Sequence, residues 1–65
     1  MALSDTELHT LKTPLTAVIG YAESLRYGDY GSLSPDQTEA IDVILKRSRE
    51  LLAILEHMRE ETYVS

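Results

Sequence analysis

The stretch SDTELHTLKTPLTAVIGYAESLRYG, Ser4 to Gly28, decides the fold. Its apolar residues fall at Leu8, Leu11, Leu15, Val18, Ala22 and Leu25, in steps of three and four, and Ile19 widens the row. That spacing gathers them on one side of an α-helix. Ser4 followed by Glu7 is a capping-box pattern, in which the hydroxyl accepts from the Glu7 amide and the carboxylate reaches back to Ser4. Asp5 and Glu7 also put negative charge at the positive end of the helix dipole. Gly28 suits the left-handed cap at the other end. The pattern predicts helix 1 over about residues 4–27.

Pro14 lies inside that pattern. A proline in a helix interior removes one backbone donor and crowds the carbonyl four residues earlier, here that of Thr10, at a cost of about 3 kcal/mol. Helix 1 is therefore expected to bend just after His9, with loosened backbone beside it. The plainer alternative is a helix that begins at Pro14, a residue suited to a first helical position. The upstream apolar row and the cap at Ser4 speak against it.

Residues 28–33 read as a connection, and Ser34-Pro35-Asp36-Gln37 opens a second helix with serine at the cap, proline in the first position and glutamine closing the box. Helix 2 is predicted over about residues 34–61. It carries Ile41, Ile44, Ser48, Leu51, Leu55 and Met58 at helical spacing, broadened by Ala40, Leu45, Leu52 and Ile54. Asp42, Lys46 and Glu50 follow one another at four-residue steps on a solvated face. From Glu60 to Ser65 the pattern lapses and fraying is expected. Two helices of similar length with a short link make an antiparallel hairpin. Each apolar face is wider than a two-helix contact covers, so the expected fold is all-α, a hairpin that homodimerises into a four-helix bundle. A turn near Tyr30 and Gly31 sets His9 opposite about Leu52.

The chain's 65 residues make a single domain, 1–65, short enough to be marginal alone. There is no cysteine, which removes disulfides and thiolate metal sites and allows a reducing compartment. With only His9 and His57 as imidazole ligands, far apart, a zinc site is not expected; the residues of site interest carry no metal. The net charge of −5 argues against a nucleic-acid footprint. The run from Leu15 to Ala22 is too short to cross a bilayer, and no signal peptide stands at the start. A soluble, cytoplasmic segment with no membrane contact is expected.

His9 lies off the apolar row, on a face shared with Asp5, Lys12, Thr13 and Thr16. A lone polar-face histidine is ordinarily just surface. Here it precedes a helix-interior proline, with a threonine one turn on and a lysine between them.

The run His9-Thr10-Leu11-Lys12-Thr13-Pro14-Leu15 resembles the H-box of sensor histidine kinases, H-[DE]-x-[RK]-[TN]-P-L. The resemblance continues through Thr16 to Glu23, then Leu33 to Gln37 and the second helix, which is nearly the whole chain. It points to the HisKA-type dimerisation and histidine-phosphotransfer domain of a two-component system. It implies that His9 is the phosphoacceptor, taking a phosphoryl group from ATP held by a separate ATP-binding domain. It further implies transfer to an aspartate of a response-regulator receiver domain. Neutral imidazole is a nucleophile near neutral pH, and its phosphoramidate is labile, as a relay requires. By the same resemblance Thr13 supports dephosphorylation of the regulator, Lys12 fills the basic position and Pro14 makes the helix bend. The chain would be the cytoplasmic part of a longer sensor protein.

Thr10 departs from the pattern, which has Asp or Glu after the histidine. A hydroxyl can accept a hydrogen bond but cannot act as a carboxylate base. That bears on autophosphorylation more than on phosphotransfer, and Asp5 is the other carboxylate on the face. Nothing here resembles a glycine-rich phosphate cradle, so ATP and Mg²⁺ are expected only through the separate domain, with no cofactor in this chain. Regulator contacts are expected at Thr16, Ile19, Gly20 and Glu23 with Lys46 and Arg49. His57, near a helix C-terminus where a cation suits the dipole, is given no chemistry. The alternatives are a degenerate, non-catalytic dimerisation or signal-transmission module, which Thr10 favours, and a coiled-coil adaptor, which leaves Pro14 without a reason.

Overall fold

The computed structural model describes residues 2–59. Two helices, α1 (Asp5–Arg26) and α2 (Pro35–His57), pack side by side as an antiparallel hairpin. At 22 and 23 residues they are about 33 and 35 Å long.

Local chemistry sets three of the four helix ends. Ser4 and Glu7 form the reciprocal capping box, at 3.0 and 3.1 Å, and Ser34 and Gln37 form the second, at 2.9 and 3.1 Å. Pro35 takes the first helical position, where its missing N–H is no loss. At the end of α1, Gly28 has φ +85°, its N–H donates to the Leu25 carbonyl at 3.2 Å, and the Asp29 N–H donates to the Ser24 carbonyl at 3.0 Å. This paired closure is a Schellman motif, which the expected glycine cap anticipates only in part.

The end of α2 comes earlier than the predicted residue 61. Met58 caps the helix, its N–H pointing back to the carbonyls of Ile54 and Leu55. Its own carbonyl accepts from the N–H of Leu3, and Leu3 and Arg59 form a parallel bridge. The start of the chain therefore competes for backbone partners that a longer helix would have used. Leu3 is buried in this contact; nothing in its spacing announces it. The fraying expected from Glu60 to Ser65 lies outside the described residues.

Helix α1 runs through Pro14 without a break and begins well upstream of it, so the alternative start at Pro14 does not hold. The Thr10 carbonyl has no N–H four residues on to receive. Thr10 is exposed, so water can serve that oxygen.

The apolar row of α1 divides in two. Leu8 and Ala22 are buried and Leu15 half-buried, whereas Leu11, Val18 and Leu25 stay exposed, Val18 at 48%. On α2, Ile41 and Leu45 are buried while Ile44 and Leu51 are exposed, at 46% and 47%. The core proper is Ala22, Ile41 and Leu45, with Ile19 and Leu33 packed against it. One hairpin thus covers only one of two apolar edges on each helix.

Candidate phosphoacceptor site

The side of the hairpin beside this core is laced by ion pairs between the helices. Arg26 Nε is 2.8 Å from Asp42 Oδ1, Arg49 Nη2 is 2.6 Å from Glu23 Oε2, and Lys12 Nζ is 2.8 Å from Glu56 Oε2. At the N-terminal end of α1, Arg59 Nε approaches Asp5 Oδ1 at 3.4 Å. Because Lys12 and Asp5 bracket His9, the part of α2 level with His9 is close to Glu56. The expected partner, Leu52, lies about one turn short of it. The reason is the link. Arg26, the last residue of α1, already meets Asp42, so about the first two turns of α2 overhang the end of α1 and the link spans that offset.

His9 is exposed on α1. Counting 100° per residue, it looks away from both apolar edges of its helix, so no helix-packing contact competes for the ring. Thr13, one turn on and also exposed, donates its hydroxyl hydrogen to the His9 carbonyl at 2.8 Å. Its donor is engaged by the backbone in this conformation, and its oxygen retains acceptor capacity. Thr10 likewise donates to the Thr6 carbonyl at 3.0 Å. It lines a shallow hollow with Leu3, Thr6, Glu7 and Leu11. Thr10 lies about a quarter-turn around α1 from the imidazole, whereas Thr13, Lys12 and Asp5 share its side of the helix.

The hydrogen bond and the charge of Lys12 hold the Glu56 carboxyl below the ordinary 4.5, against a smaller opposing effect of burial and with a lesser pull from Arg59. The two ion pairs that bracket His9, Lys12 with Glu56 and Asp5 with Arg59, are not legible in the spacing of either helix.

Among the positions expected to meet a regulator, Thr16, Gly20 and Lys46 are exposed, and Glu23 and Arg49 are tied to each other. Ile19 is half-buried against the Ala22, Ile41 and Leu45 core, its side chain turned toward α2. His57 is the exposed last residue of α2. Among the described residues no group of three or more His, Cys, Asp or Glu could hold a metal ion. None of the described helices is long and apolar enough to cross a membrane.

A hairpin with this exposed histidine ahead of a helix-interior proline matches the model of the His Kinase A (phospho-acceptor) domain over residues 8–62. The chain belongs to that family, the phosphoacceptor and dimerisation unit of two-component histidine kinases. Neither the curated proteins nor the solved structures contain a match.

Proposed function

We propose that His9 accepts a phosphoryl group from ATP bound by a separate ATP-binding domain and passes it to an aspartate of a response-regulator receiver domain. The observation that carries this reading is the exposure of His9, on a helix side free of core packing, within a family match that spans both helices. A ring nitrogen attacks the γ-phosphorus with its lone pair; the N–P bond forms as the bond to the bridging oxygen breaks and ADP leaves, and the ring releases the proton held at its other nitrogen. ATP and Mg²⁺ come with the partner domain, and the exchange belongs in the cytoplasm, a reducing compartment that suits a chain without cysteine.

The working form is a homodimer. The exposed row Leu11, Val18 and Leu25 and the exposed pair Ile44 and Leu51 make a second apolar edge, which a second hairpin would cover to complete a four-helix bundle. With that edge inward, His9 faces outward.

A second reading is favoured by Thr10. Its hydroxyl is bonded to Thr6, and Asp5 is engaged by Arg59, so neither stands as a ready base for the imidazole proton. On that reading the chain dimerises without being phosphorylated.

The deciding experiment mixes the chain with an ATP-binding domain of a histidine kinase and γ-labelled ATP, with His9→Gln as control. Label that is acid-labile, base-stable and lost in His9→Gln supports the phosphoacceptor reading. Absence of label across active kinase domains sinks it and leaves the dimerisation module.

A further inference from the structure

Both ion pairs that bracket His9 run to the end of α2. Asp5, four residues before His9, meets Arg59, and Lys12, three residues after it, meets Glu56. Residues at those spacings share a helix face, with Cβ atoms about 5–6 Å apart. The Lys12 ammonium sits on a flexible four-carbon stem, so it can reach either Glu56 across the groove or a group carried on the His9 ring. Its present pairing is half-exposed, with side chains 35% and 52% accessible. Such pairs are screened by water and exchange partners readily.

We propose that Glu56 is a positioning residue that holds Lys12 across the groove while His9 is unmodified, and that Lys12 leaves it for the phosphoryl group once His9 carries one. This inference rests on the phosphoacceptor reading of His9. Its direction follows from charge. A phosphoryl group bears more than one negative charge near neutral pH and three strong acceptor oxygens, against the single charge of a carboxylate. Lys12 is the only basic residue within four positions of His9 in the sequence. Of the other groups on that face, Asp5 repels the phosphoryl group and is partly offset by Arg59, and the Thr13 hydroxyl is committed to the His9 carbonyl. When Lys12 departs, Glu56 loses the partner that keeps its carboxyl ionised to lower pH, and the last turn of α2 loses a tie to α1. The phosphorylation state of His9 is thereby read by the other helix.

The test uses the whole 65-residue chain with His57→Gln, phosphorylated on His9 by phosphoramidate, which requires no kinase domain. Ionisation of the phosphoryl group is followed by ³¹P NMR. Lys12→Gln is expected to raise its midpoint by about half a pH unit, as loss of a nearby opposite charge requires. Glu56→Gln should lower the midpoint, and should do so far less when Lys12→Gln is also present. Lys12→Arg should behave as the parent, which separates the charge from any loss of fold. An unchanged midpoint in Lys12→Gln, or an equal effect of Glu56→Gln with and without Lys12, overturns the proposal. Failure of the ATP-dependent labelling would remove the phosphoacceptor reading without altering this titration, so the two outcomes stay distinct.

Discussion

Lys12 Nζ and Glu56 Oε2 lie 2.8 Å apart, joining the residue three places after His9 to the last turn of the opposite helix. The contact has a consequence for acid stability. A carboxyl whose ionisation is held below its ordinary 4.5 by the fold contributes stability above the unfolded value, and that contribution disappears as the pH falls through the folded value. The melting temperature of the parent should therefore exceed that of Glu56→Gln at neutral pH and converge with it in acid, once the pH has fallen through the lowered folded value. Thermal melts followed by circular dichroism across that range check this. A difference that persists at low pH would rule out the ion pair as its source.

The exposed edge of the hairpin separates association from folding. Val18→Glu puts a charge into the row Leu11, Val18 and Leu25 without touching the Ala22, Ile41 and Leu45 core. It is expected to shift the chain from dimer to monomer by light scattering. Leu45→Ala, which opens the core itself, is expected to lower stability by about 2–4 kcal/mol. A parent chain that scatters as a monomer at high concentration would contradict the bundle.

Pro14 should be a stability defect kept within a helix. Pro14→Ala restores an N–H to the Thr10 carbonyl and relieves the ring's contact with the preceding turn, and should stabilise the chain by about 2–3 kcal/mol. Chemical denaturation measures it. The same variant should be labelled more slowly by a kinase domain, because the local freedom of the backbone after His9 is reduced.

Thr10→Glu should raise the rate of labelling of His9 by a kinase domain, since a carboxylate can take the proton that a hydroxyl cannot. The control is Thr10→Gln, which matches the size without the base and should show no gain. Equal rates in all three chains would mean that proton removal is not limiting.

Much of the architecture was legible because helix formation is decided over a few neighbouring residues. The steps of the apolar rows, Ser4 with Glu7, Ser34 with Gln37, and Gly28 at the stop each act within four positions. The same local geometry set His9 off the apolar row, and the H-box resemblance marked it for chemistry. Two local readings were incomplete for a reason also visible in the structure. The row on α1 was read as one face, yet Ala22 faces α2 while Val18 faces outward, and a period near 3.6 cannot say which half of a wide row meets which neighbour. The Thr10 and Thr13 hydroxyls both found backbone carbonyls one turn back, a choice that composition leaves open.

By itself, the sequence determined two capped helices, their link and an exposed histidine beside a helix-interior proline. Only the tertiary structure decided that α2 overhangs α1, that Leu3 is buried against Met58 and Arg59, and that Lys12 and Asp5 are held by Glu56 and Arg59. Those contacts join residues up to 56 positions apart. They depend on the path of the link and the relative offset of two rods, and no local spacing encodes that offset.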